Sequence, residues 1–179
     1  MEGSLDEALE KRIKKIKLLL LDVDGVMTGG SIIYDDDGRE IKVFDVRDGH
    51  GLKLLMRAGI GVGIITSRTS GVVAKRAEDL GIELLYQGRI DKLKAFGEVL
   101  ERKALAADEV AFMGDDIVDL PVLKRAGFSV AVHDAVDEVR GRVHYVTSNP
   151  GGRGAVREVS ELILKVQGKW EGLMERYLR

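Results

Sequence analysis

Cysteine is absent from all 179 residues, which rules out disulfides and thiolate metal sites and makes a reducing cytoplasm the simplest setting. An excess of one charge is missing too. Lys and Arg number 28 against 30 Asp and Glu, a formal net charge of -2, so composition gives no electrostatic reason to expect a nucleic-acid or membrane partner. No apolar run approaches membrane-spanning length, and Leu18 to Leu21 is too short for the core of a signal peptide and is followed at once by acids. There are only two prolines, and neither an internal repeat nor a low-complexity tract that would read as a linker. What remains is 45% hydrophobic and 32% charged, ordinary for a soluble globular chain, and residues 1–179 suit one well-buried core better than two domains.

The organising stretch is Leu18-Leu-Leu-Leu-Asp-Val-Asp-Gly-Val-Met-Thr28. Four leucines in a row predict a strand buried on both faces, as at the centre of a parallel sheet, and Asp22 and Asp24 follow at its C-terminal end, where open α/β sheets place their ligands. Gly25 permits a sharp turn there. A second apolar run, Val110 to Met113, ends the same way in Gly114, Asp115, Asp116 and, one turn later, Asp119. If both strands share one sheet, four or five carboxylates meet on one rim. Two unit charges about 4 Å apart repel by about 4 kcal/mol at an effective dielectric near 20, so the cluster calls for a cation. Hard oxygen ligands favour Mg²⁺ over zinc or copper.

Between these two ends a third strand, Gly61 to Ile65, finishes in Thr66, Ser67 and Arg68, and Lys92 begins a helix running to about Lys103. Helices are predicted at about 72–80 and 120–125, and strands at 83–86 and 128–132. Strands alternating with helices of this length predict an α/β fold, a doubly wound, Rossmann-like parallel sheet with helices on both faces.

The order Asp-x-Asp, Thr, Lys, Gly-Asp-Asp-x-x-Asp resembles the haloacid dehalogenase-like phosphohydrolases over Asp22 to Asp119. That resemblance implies Asp22 as the nucleophile forming an aspartyl-phosphate and Asp24 as the acid that protonates the leaving alkoxide and then activates water. It implies Mg²⁺ held by Asp22, Asp115 and the main-chain carbonyl of Asp24, Thr66 donating to a phosphoryl oxygen, and Lys92 pairing with phosphate and Asp22. Asp116 and Asp119 are expected to orient metal-bound water and Lys92.

Neither interval between the motifs has room for the cap domain that most of these enzymes carry. Residues 22–28, Val46-Arg-Asp-Gly-His-Gly51, Gly114-Asp-Asp-Ile-Val-Asp-Leu-Pro121 and Gly151-Gly-Arg-Gly-Ala-Val-Arg-Glu158 extend the resemblance over nearly the whole chain. They resemble the cap-less 3-deoxy-D-manno-octulosonate 8-phosphate phosphatases of lipopolysaccharide synthesis. The implied substrate is a sugar-acid phosphate, and the implied assembly is a cytoplasmic homotetramer whose hairpins pack together and whose sites are completed by neighbours. Arg68 and Arg47 are the expected contacts for the sugar-acid carboxylate or phosphate, with the glycine loop at 151–154 expected to close over a site. The family usually has glycine where this chain has Ser67, whose side chain is expected to narrow the pocket and line the substrate. A related nine-carbon sugar-acid phosphate is the alternative substrate. A phosphoacceptor receiver domain is the alternative of another class, but its acidic pair should precede the Thr, and Asp115-Asp116 follows Lys92.

Other features carry plainer expectations. Residues 1–16 predict a helix with a Ser4/Glu7 capping box and a basic C-terminal end, read as a solvated face. Residues 31–44 predict a protruding β-hairpin turning at Asp37-Gly38, with Asp35 to Asp37 a solvated tip. His50 reads as a loop or pocket-wall residue, and His133 and His144 as structural. A helix from about 154, with Val156, Val159, Leu162, Ile163 and Val166 on one face, precedes a tail whose Trp170, Leu173, Met174 and Tyr177 form a packing stripe for this subunit or a neighbour.

Overall fold

Every residue of β1 (Leu18–Leu21) is buried, and a strand with no face for water belongs in the middle of a sheet. A computed structural model describes residues 6–178. The remaining strands are β2 (Ile33–Tyr34), β3 (Glu40–Ile41), β4 (Gly61–Ile65), β5 (Leu84–Tyr86), β6 (Val110–Gly114), β7 (Phe128–Ala131) and β8 (Tyr145–Val146). Six of them form one parallel sheet in the order β5-β4-β1-β6-β7-β8, while β2 and β3 pair separately as an antiparallel hairpin.

Register decides where the chemistry lies. Leu21 stands opposite Ile64 of β4 and Met113 of β6, and the Asp22 N–H donates to the Met113 carbonyl at 3.0 Å. The residues that follow these three central strands, Asp22, Thr66 and Asp115, therefore leave the sheet side by side.

The helices are α1 (Glu7–Lys14), α2 (Val46–Arg57), α3 (Gly71–Leu80), α4 (Lys92–Lys103), α5 (Leu120–Leu123), α6 (Asp137–Arg140), α7 (Ala155–Val166) and α8 (Trp170–Met174). One group packs α1 and α2 against α7, and another packs α4 against α5. Ser4 lies outside the described residues; the N-cap of α1 is Asp6, whose carboxylate accepts the Ala8 N–H at 3.3 Å. The short α6 and β8 carry no pattern that the sequence reading registered.

The Val46-Arg-Asp-Gly-His-Gly51 motif joins α2 to α7. Asp48 is buried and accepts the N–H groups of Gly154 and Arg157 at 3.2 and 2.8 Å, so a residue of α2 caps the start of α7. His50 bonds the Tyr177 hydroxyl at 3.0 Å, which also accepts from Arg57 at 2.7 Å, and the cations of Arg157 and Lys165 lie over the Trp170 ring. The tail thus docks on its own subunit.

Between β1 and β4 there is only the hairpin and α2, and between β4 and α4 only α3 and β5. No cap domain interrupts the described residues. The hairpin's ladder is shorter than 31–44 because its loop closes through Asp35, whose side chain accepts from Asp37 and Arg39 at 3.0 and 2.7 Å, while no third strand extends the arms. Ile33, Tyr34, Ile41 and Val43 are left exposed.

Candidate active site

Asp22, Asp24, Thr66, Ser67, Arg68, Lys92, Asp115 and Asp116 line one cleft of about 280 Å³ at the C-terminal edge of the central strands. Two glycines make the crowding possible. Gly25 has φ +86°, and a Cβ there would fall 2.0 Å from Asp115 Oδ2. A Cβ on Gly114 would come within 2.6 Å of the Asp119 carboxylate.

Lys92 begins α4 with its side chain 1% exposed, an unfavourable place for a cation, since the helix N-terminus is itself positive. Two carboxylates offset this: its Nζ is 2.9 Å from Asp22 Oδ1 and 2.6 Å from Asp119 Oδ1. Burial would lower the Lys92 pKa, but the charges of Asp22 and Asp119 outweigh it and raise it. Asp119, fully buried, spends its other oxygen on the N–H groups of Asp115 and Asp116, at 3.0 and 3.4 Å. Asp116 is exposed and caps the 3-10 turn at Ile117–Asp119 through the Ile117 N–H, 2.7 Å away.

Asp22, Asp115 and Asp119 each present an oxygen within 4.8 Å of the others. Since both Asp119 oxygens are engaged, Asp22 and Asp115 are the pair with capacity for a cation. Asp115 Oδ1 is buried without any hydrogen-bond partner. Burial, then the charges of Asp22 and Asp119, push the Asp115 pKa up to about 7, and burial and Asp119 push Asp22 up to about 6 against the pull of Lys92. An orphaned oxygen in an all-oxygen donor set fits a hard divalent ion such as Mg²⁺.

Thr66 is buried on the β4 tip beside Asp22. The Ser67 hydroxyl rests on the Arg89 carbonyl at 3.4 Å, which ties it to the loop before Lys92. Arg68 stands at the mouth, 41% exposed, with Nη2 2.8 Å from Glu40. Arg47 is not brought to this cleft; it pairs with Asp45 at 3.1 Å and lines a separate depression with Asn149, Arg153 and Arg157. The glycine loop lies behind the Asp22–Gly25 turn, with the Gly152 N–H on the Val26 carbonyl at 2.9 Å, and so supports that turn. The sequence reading missed Lys42 and Glu40, hairpin residues that reach Asp24 and Arg68. A lysine on an arm that reads as half exposed gives no sign of where its ammonium will land.

A haloacid dehalogenase-like hydrolase family model matches residues 65–158, more than half of the chain. The 3-deoxy-D-manno-octulosonate 8-phosphate phosphatase KdsC of Escherichia coli strain K12 is 48% identical over 167 residues, 93% of this chain and 89% of that one. The crystal structure of the phosphatase of that name from Yersinia pestis superimposes with a TM-score of 0.93 at 46% identity, covering 95% of this chain and 92% of the other. That from Moraxella catarrhalis, in complex with magnesium ion, phosphate ion and KDO, gives 0.92 at 40% identity over 94% and 97%. With the sheet order, the acidic cleft and these similarities in agreement, the chain belongs to the 3-deoxy-D-manno-octulosonate 8-phosphate phosphatase family of haloacid dehalogenase-like hydrolases.

Proposed function

We propose that the chain is a Mg²⁺-dependent phosphoric monoester hydrolase that converts 3-deoxy-D-manno-octulosonate 8-phosphate to the free sugar acid and phosphate, a step in lipopolysaccharide precursor synthesis. The observation that carries this reading is the meeting of Asp22 and Asp115 on adjacent strand tips with Lys92 and Thr66 around them. Asp22, Asp115 and the Asp24 carbonyl are the groups to hold Mg²⁺, which when bound offsets repulsion between carboxylate and phosphate and stabilises charge on the transferring group.

Asp22 attacks phosphorus from a side chain that Lys92 fixes, forming the aspartyl-phosphate as the bond to the sugar oxygen breaks. Asp24 gives its proton to that oxygen and then takes one from the water that opens the intermediate. Thr66 donates its hydroxyl to a phosphoryl oxygen, and Lys92 meets the phosphate charge. Asp119 holds Lys92, and Asp116 sets the turn that aims Asp115. Arg68, at the mouth, is the group placed for the sugar-acid carboxylate, while Ser67 narrows the wall beside it. For Arg47, a contact with substrate requires a neighbouring subunit's cleft.

Residues 1–179 act as one domain, and a homotetramer completes the sites. Support for association comes from the exposed apolar residues of the hairpin, Ile32, Ile33, Tyr34, Ile41 and Val43, together with Ile90, Ile117 and Val118 near the cleft. The cysteine-free chain and the described residues, none of which form a helix long and apolar enough to cross a membrane, accord with a cytoplasmic setting.

The test is a panel of eight- and nine-carbon sugar-acid phosphates with released phosphate as readout. The eight-carbon ester should show the highest kcat/KM, and chelation should silence turnover until Mg²⁺ is returned. Preference for the nine-carbon ester, or indifference to chelator, would contradict the assignment.

A further inference from the structure

Lys42 sits on a hairpin arm whose neighbours Ile41 and Val43 are 46% and 68% exposed, yet its own side chain is 2% exposed. Burying an ammonium is costly unless it is paired, and Lys42 has two partners. Its Nζ donates to Asp24 Oδ1 and lies 3.2 Å from Glu40 Oε1. Glu40 in turn accepts from Arg68 Nη2 at 2.8 Å and from the Ser70 hydroxyl. Arg68 Nε comes back to within 3.8 Å of Asp24 Oδ2. Asp24, Lys42, Glu40 and Arg68 thus form a closed ring of alternating charge between the hairpin and the tips of β1 and β4. Asp24 and Arg68 line the cleft, whereas Lys42 and Glu40 stand behind them.

We propose that Lys42 and Glu40 are positioning residues for proton transfer by Asp24. When protonated on Oδ2, Asp24 still accepts from Lys42 through Oδ1, so Oδ2 is the oxygen left to deliver the proton. It passes to the leaving sugar oxygen as that oxygen's bond to phosphorus breaks and the Asp22–phosphorus bond forms. Glu40 keeps the Lys42 ammonium from swinging into the cleft and holds Arg68 with its Nε 3.8 Å from Asp24 Oδ2. Lys42 is buried and does not line the cleft, which leaves the substrate carboxylate to Arg68. The inference rests on Asp24 being the general acid.

The ring predicts a dependence on the leaving group that loss of fold would not produce. The sugar 8-phosphate releases a basic alkoxide and needs the proton, whereas p-nitrophenyl phosphate releases a weakly basic phenolate and does not. Leaving-group release in the first turnover, followed by rapid mixing with Mg²⁺ present, separates this step from opening of the intermediate. Lys42→Met should slow the sugar-phosphate burst about 10²-fold, the lower end of what general acid help supplies, and leave the p-nitrophenyl burst within about a factor of three. Lys42→Arg should restore part of the loss, and Glu40→Gln should show the same selectivity more weakly, which keeps the test open if Lys42→Met does not fold. Equal loss on both substrates, or no loss on either, would overturn the positioning role. Asp24→Asn marks the other failure: if it too slows both substrates alike, the general-acid reading falls and the inference with it.

Discussion

Asp115 has one carboxylate oxygen buried with no partner and two further carboxylates beside it, and these explain why its pKa rises from 3.8 to about 7. The folded carboxyl keeps its proton to higher pH than the unfolded one does. Between about pH 4 and 7 the folded state therefore binds more protons, so metal-free stability falls as pH rises, and above 7 the whole cost is present. A divalent ion reverses the balance by preferring the ionised form. Asp115→Asn should raise metal-free stability at pH 8 by about 1–3 kcal/mol, the usual range for relieving a buried unsatisfied group, while abolishing turnover. Thermal melts in chelator at pH 5 and pH 8 check this: the wild type should melt lower at pH 8 and recover with Mg²⁺, and the variant should show a smaller drop, the part due to Asp22, and no recovery. A wild type whose melting point ignored Mg²⁺ at pH 8 would contradict it.

At the scale of elements, the joint between α2 and α7 supports the site from behind. Asp48 caps α7 from another helix, and the loop that α7 follows braces the turn after Asp22 through Gly152 and Val26. Asp48→Ala should cost about 1–2 kcal/mol, the usual loss of an N-cap, read as a lower urea midpoint with unchanged slope. An unchanged midpoint would show that α7 starts without this cap. Strand β1 and its place in the sheet were legible because four consecutive leucines have no solvent face. The cleft was legible where chemistry follows a strand directly, at Asp22, Thr66 and Asp115. Lys42 was not, since its pairing with Asp24 is set by how the hairpin folds back and leaves no local periodicity. Arg47 is a substrate contact by resemblance alone, and within its own subunit its neighbour Asp45 takes its guanidinium at the surface. Short α6 and β8 fall below the length at which either period can be read.

For the whole molecule, a cleft at the rim of an open sheet without a cap needs something to exclude water, and the exposed apolar arms of the hairpin are the surface suited to a second copy of the chain. In the proposed tetramer, Val43→Glu, which places a charge on that surface, should shift sedimentation toward smaller species and lower turnover, whereas sedimentation identical to the wild type would remove the hairpin from the interface. Every step proposed above, from metal binding to the hairpin's hold on Asp24, presupposes that phosphorus passes through Asp22. The most direct measurement is mass spectrometry of peptides from enzyme quenched in acid during turnover of 3-deoxy-D-manno-octulosonate 8-phosphate with Mg²⁺. A phosphoryl group should be found on Asp22 in the wild type and be missing in Asp22→Asn, which should also be inactive. Turnover that continues in Asp22→Asn, or a phosphoryl group on a different residue, would contradict the account.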